Sequence, residues 1–233
     1  MIKRAKADVN AVIRFVTPVA LLDVITSIGS EFERSTGYRL DLSIMLNPEV
    51  PGFIRSGAPW SIAASNPWHL EEIAHDARGP IRTIGRSPLA FGARGEGEGG
   101  AAVGDEAGIS EVLRRSKRIG VTGAGTSGGT FARLLDRLKL TDDMRDKVIP
   151  MKGGEPMRQL IAGGVDLAVL PLTNIAPIQG VHSVVICPWE LEVHVDLALC
   201  CHPKACAGAS LLASWLMSNE RNTQLQALGL MRF

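Results

Sequence analysis

Residues Arg118–Leu135 read RIGVTGAGTSGGTFARLL. A short apolar run leads into Gly123, Gly125 and Gly128, and a segment of helical spacing follows. Strand, glycine turn and helix in this order expose backbone amides at a helix start, where unpaired N–H groups carry partial positive charge. The spacing satisfies G-x-G-x-x-G, the phosphate turn of a dinucleotide-binding βαβ unit. Thr126, Ser127 and Thr130 also put hydroxyls around the helix start, and hydroxyls with amides make a cradle for an oxyanion or carboxylate. Thr126 or Ser127 can equally be a simple helix cap, which is compatible with anion binding.

The flanking sequence weighs these readings. A dinucleotide fingerprint opens its domain, and the next strand ends in an acid that meets the ribose. Here at least three strands precede the loop, and the next strand, VIPM, runs into Lys152, Gly153 and Gly154. Lys152 could meet a 2′-phosphate, so an NADP-dependent reductase stands as one alternative. The anion cradle requires no cofactor, and none is expected.

Working outward, AVIRFV (11–16) reads as a strand, and Pro18 starts a helix with Leu22, Ile25, Ile28 and Phe32 on one stripe. YRLDLSIML is a second strand, Val50–Ser56 a short helix, and SIAAS (61–65) a small-residue buried strand. WHLEEIAHDA reads as a helix after Pro67, IRTIGRSPLAFGAR as a strand, and GEGEGGAAVG (95–104) as a flexible loop. Helices are expected at 108–117, after the glycines, at 141–147 and at 155–163. VDLAVLP, HSVVICP and EVHVDLALCC are strands, and two helices close the chain. Strands alternating with helices predict an α/β fold with mostly parallel sheet.

Composition excludes several function classes. The 233 residues can bury one large core or two small α/β cores, and the net charge of +1 gives no global pull towards nucleic acid or anionic membrane. Six Phe, four Trp and one Tyr are too few for a base-stacking platform. No apolar run is long enough for a membrane span, so no membrane insertion is expected. MIKRAKADVN is basic, but the apolar residues after it include Arg14 and soon meet Pro18, which is not a secretory signal core. As written the chain is expected in the cytoplasm, or in the periplasm if a signal was removed. Cys187, Cys200, Cys201 and Cys206 lack C-x-x-C spacing and read as buried structural thiols, with no metal site.

The loops after the strands share one chemistry. Thr17-Pro18-Val19 repeats the strand, hydroxyl and helix-start design, Asn47 follows the second strand, and Ser65-Asn66 follows the third. Leu172-Thr173-Asn174 follows VDLAVLP. Ligands of open α/β sheets bind outside the carboxyl ends of strands, so these loops and Thr126-Ser127-Gly128 are expected to converge on a ligand. All offer hydroxyls or amides rather than acid–base groups. His69 and His75 do not share a helix face, and no Ser/His/Asp order or carboxylate pair emerges, so no catalytic residue is assigned.

The order of motifs resembles a known family. Phe32-Glu33 with Gly37-Tyr38, Ile54 with Gly57-Ala58-Pro59, and Ser61–Ser65 resemble the first lobe of the type II periplasmic binding proteins. Within them the likeness is to the molybdate-binding branch of ABC-transporter substrate-binding proteins. Arg86-Ser-Pro-Leu-Ala-Phe-Gly92 resembles the crossover strand, Gly125-Thr-Ser-Gly128 the second lobe's ligand loop, and Ala162–Val169 the return of the chain. The resemblance implies two α/β lobes, 1–84 plus 190–233 and 85–189, joined by two crossover strands around a central ligand cleft with hinge closure. It also implies a monomer that binds a small anion and partners an ABC transporter permease. The ligand-binding residues would be Thr17, Pro18, Val19, Asn47, Ser65, Arg86, Thr126, Ser127, Gly128, Leu172 and Thr173.

Two positions depart from that pattern: Leu46-Asn-Pro-Glu49 replaces a serine-rich loop, and Trp60 replaces an acid. Glu49 beside a tetrahedral dianion would be unfavourable unless it points away. The chain also resembles aconitate isomerases on the same scaffold, which makes an isomerase of a small unsaturated polycarboxylate the enzyme alternative. Arg14, Arg86 or Arg158 would then pair with the substrate carboxylates.

Overall fold

The computed structural model describes residues 12–95 and 104–232. MIKRAKADVN, the closing Phe233 and most of the GEGEGGAAVG loop lie outside the described residues. In chain order the first elements are β1 (Val12–Pro18), α1 (Val19–Thr36), β2 (Arg39–Met45), α2 (Val50–Arg55), β3 (Ile62–Ser65) and α3 (Pro67–Glu71). Then follow β4 (Arg82–Arg94), α4 (Glu106–Arg115), β5 (Ile119–Thr122), α5 (Thr126–Arg137), α6 (Thr141–Met144) and β6 (Val148–Met151). The last are α7 (Glu155–Ala162), β7 (Leu167–Pro171), β8 (Val181–Ile186), β9 (His194–Cys201), α8 (Ala207–Leu216) and α9 (Asn222–Ala227).

The chain divides into two compact units. The first holds the described residues up to Gly85 with Asp196–Leu225 and Arg232; the second holds those of Arg86–Val195 with Gln226–Met231. In the first, β1 lies between β2 and β3, parallel to both, and β9 adds antiparallel to β3. Pro18 remains extended, with φ −72° and ψ 152°, and α1 begins at once after it. Leu21, Val24, Ile25, Ile28 and Phe32 recur at helical spacing and are all buried. At about 1.5–3 kcal/mol for each large side chain, this stripe is the main force docking α1. Gly37, at φ +80°, ends the helix, its N–H donating to the Glu33 carbonyl at 2.9 Å. A second core cluster, from Val16, Val50, Ala63, Leu70, Ala198 and Cys200, packs α2 and α3 on the sheet.

The second unit repeats this order. β5 lies between β6 and β7, parallel to both, and β4 adds antiparallel to β7 with β8 on its other side. Ala90, Leu160, Val165, Ala168, Leu170 and Ile175 form its core with α7. The expectation of a mostly parallel sheet is therefore corrected to a mixed one. An antiparallel partner needs no helical crossover, and β4, β8 and β9 each pair in that way with a neighbouring strand.

A second correction concerns the helix expected over WHLEEIAHDA, which stops at Glu71. The buried Arg78 donates Nε–H to the Ile73 carbonyl at 3.1 Å, taking the acceptor that a continuing helix would use. The Ala77 amide turns back to Ala74 instead. Cys187 and Cys200 are buried, as expected, whereas Cys201 and Cys206 are only half-buried.

Candidate functional site

Because β1, β2 and β3 run parallel, their carboxyl ends share one sheet edge, and the register sets Pro18 beside Met45. Thr17, Pro18, Asn47 and Ser65 all fall at this edge, with Val19 opening α1. Since β2 and β3 flank β1 on opposite sides, the edge is a point where the strand order reverses, the usual ligand position in open α/β sheets.

Thr17 is fully buried, and its hydroxyl has only the Pro18 carbonyl at 3.5 Å, longer than a well-formed O–H···O bond. That donor is nearly unspent. Ser65 is committed: its hydroxyl donates to the Asn47 carbonyl at 3.0 Å and stands 3.2 Å from Asn47 Oδ1. Ser65 therefore positions Asn47, whose Nδ2 group has no acceptor among the described residues. Asn66, the residue after Ser65, is tied to the Asp196 carbonyl at 2.6 Å. Glu49 accepts the Leu46 amide at 2.7 Å, so its carboxylate caps the turn beneath Asn47.

The second unit offers the corresponding edge. Thr122 ends β5 beside Met151 of β6, and α5 begins three residues after Gly123. Gly125 occupies the cap position at φ −91° and supplies no side-chain acceptor. Ser127 is only 8% exposed, and neither its hydroxyl nor its amide has a partner among the described residues. The Gly128 amide is likewise unpartnered among them. Three donors thus gather in the first turn of a 12-residue helix, where the helix dipole favours an anion. Thr126 beside them is half-buried.

Gly128 answers the question of the glycine spacing. A Cβ there would stand 2.1 Å from the Thr122 carbonyl oxygen, so the helix start packs directly on the end of its own strand. The third glycine is explained by this contact alone. Thr173 follows β7 on the same edge and is fully buried, its amide donating to Ser87 Oγ at 3.1 Å. Leu172 belongs to the core rather than the edge surface, at 6% exposure. Arg86 sits in β4 with its backbone bridged to Met231 at 2.7 and 2.8 Å. Arg14 and Arg158 are exposed, Arg14 in the middle of β1 and Arg158 on α7.

Sequence reasoning missed Ser87, the acceptor that holds Thr173. Its signal was a single hydroxyl inside the apolar run SPLAFG. It also missed that Asn66 binds β9, a contact 130 residues away in the chain. Among the described residues no group of His, Cys, Asp and Glu could hold a metal ion, and no helix is long and apolar enough to cross a membrane.

The chain is similar to several solved structures. The periplasmic molybdate-binding protein of Azotobacter vinelandii superposes with a TM-score of 0.78 at 17% identity, covering 95% of this chain and 99% of that one. Peb3 from Campylobacter jejuni gives 0.67 at 12% identity, covering 95% and 100%. The sulfate-binding protein SubI from Mycobacterium tuberculosis gives 0.69 at 12% identity, covering 94% and 86%. These likenesses establish the fold as that of the type II periplasmic binding proteins. No curated protein matches the chain by sequence. A family profile described as bacterial extracellular solute-binding protein matches residues 13–230, nearly the whole chain. With that coverage, the chain belongs to the bacterial extracellular solute-binding proteins.

Proposed function

We propose that this solute-binding protein captures a small anion, a molybdate-like oxyanion or a small carboxylate, and delivers it to an ABC transporter permease. The ligand-binding groups are Thr17, Asn47 and the start of α1 in the first unit, and Thr126, Ser127, Gly128 and Thr173 in the second. Pro18 and Ser65 hold those groups in place, and Arg86 lies at the same edge of its sheet. The observation that carries the reading is the trio of unspent donors in the first turn of α5: the Ser127 hydroxyl and the amides of Ser127 and Gly128.

Neutral donors suit an anion that has lost all its protons, because a protonated oxyanion would need an acceptor in return. Molybdate and sulfate, carried in the names of two similar structures, meet that condition at neutral pH. The extracellular description of the family supports a periplasmic location over the cytoplasmic one expected from the sequence.

A thermal-shift panel of molybdate, tungstate, sulfate, phosphate and di- and tricarboxylates tests the reading. A ligand at 100 times its dissociation constant stabilises the fold by about 2.7 kcal/mol. In a chain of this size that is a rise in Tm of roughly 5–10 °C. A panel in which no anion raises Tm sinks the proposal.

A further inference from the structure

The opposite edge of the first unit's sheet carries a separate groove of about 540 Å³. Arg14, Trp60, Ser61, His202 and Lys204 line it, with apolar walls that include Ile54 and Pro59. Each of the five polar residues presents a donor. Ser61 is 8% exposed; its oxygen accepts the Arg14 amide at 3.2 Å, and its own proton has no acceptor among the described residues. His202 Nδ1 stands 3.0 Å from the Lys204 amide as its acceptor, which leaves the ring proton on Nε2. The Trp60 ring meets His202 edge-on, with centroids 5.1 Å apart, and its indole N–H has no acceptor among the described residues. The Arg14 guanidinium and the Lys204 ammonium form no ion pair among them either.

No carboxylate of the described residues lines the groove. Asp41, opposite Arg14 in the β1–β2 register, makes no ion pair with it. A groove with five donors and no acid recognises an anion, and buried Ser61 aims an unspent proton into it. The volume falls in the range of small-molecule sites, and the apolar walls would stay wet around a bare inorganic ion. We propose that this groove is a second anion site, independent of the strand-end groups, that takes an organic carboxylate with an apolar body. The carboxylate meets Arg14, Lys204 and Ser61, and the body lies against Trp60, Ile54 and Pro59.

Phenylacetate is the probe, with sulfate as the control. Binding is read from the indole N–H signal of Trp60 in a 15N-labelled protein, assigned by its loss in Trp60→Phe, and from calorimetry. Phenylacetate is expected to move that signal saturably, and Arg14→Gln with Lys204→Gln to weaken binding at least about tenfold. Both side chains are exposed, and an unchanged melting curve verifies the fold of the double variant. Ser127→Ala is expected to leave phenylacetate binding unchanged, which separates this site from the strand-end one. An unmoved Trp60 signal at millimolar phenylacetate, undiminished affinity in the double variant, loss of binding in Ser127→Ala, or a Trp60 signal that sulfate moves with equal affinity each overturns the proposal.

Discussion

Ser127 and Gly128 are neighbours in one helical turn, yet the fold asks opposite things of them. Gly128 must lack a side chain because the Thr122 carbonyl would lie 2.1 Å from its Cβ. Gly128→Ala therefore has to push α5 off β5, and urea unfolding should show a loss of about 2–3 kcal/mol or more. Ser127 has no bond to lose among the described residues, so Ser127→Ala should change stability by less than about 0.5 kcal/mol while weakening anion binding roughly tenfold. A Ser127→Ala protein that loses both stability and binding, or neither, would contradict these roles. The three glycines and the hydroxyls beside them were legible in the sequence, because strand, turn and helix are local. The reason for Gly128 was not, since it depends on how closely a helix start approaches the carbonyl of its own strand. Ser65 teaches the same lesson: its place at a strand end could be read, but its bond to Asn47, 18 residues earlier, could not.

Elements with strong periodicity emerged where the sequence puts them. β1, α1 and β2 follow from alternation, an apolar stripe and the Gly37 stop, all within 34 residues. α3 did not, because the cause of its early end lies outside its own pattern: Arg78 reaches back to the Ile73 carbonyl at 3.1 Å and contacts the Gly79 carbonyl at 3.3 Å. Arg78→Met keeps the aliphatic stem and removes both bonds, leaving the buried Ile73 carbonyl and the half-buried Gly79 carbonyl to find other donors. Equilibrium unfolding should show a loss of about 1–3 kcal/mol with an unchanged m-value. The directions of β4, β8 and β9 were equally hidden. Strand character can be read from composition, but direction is set by the length and structure of the connections.

At the scale of the molecule, the first unit sets β1 between β2 and β3 with β9 antiparallel to β3, and the second sets β5 between β6 and β7 with β4 antiparallel to β7. That repetition explains why hydroxyl and amide loops recur along the sequence: the same sheet edge is built twice. Stability should carry a signature of the buried thiols. Burial pushes Cys187 and Cys200 from the usual 9.0 up to about 12. The folded chain then keeps protons that the unfolded chain releases, so stability is fully present below pH 9 and falls as pH rises towards 12. The slope is about 1.4 kcal/mol per pH unit for each thiol. Urea titrations between pH 8 and 11 should show this decline, reduced in Cys187→Ala; a flat profile would exclude it.

Neutral donors at the strand ends are proposed to hold a small anion. Calorimetric titration with molybdate and sulfate, on the wild type and on Thr17→Val combined with Ser127→Ala, tests it most directly. Saturable 1:1 binding of at least one of these ions is expected, weakened about 100-fold or more by losing two hydroxyl donors that face a charged ligand. Absence of binding of either ion to the wild type, or equal affinity in the double variant, would contradict it.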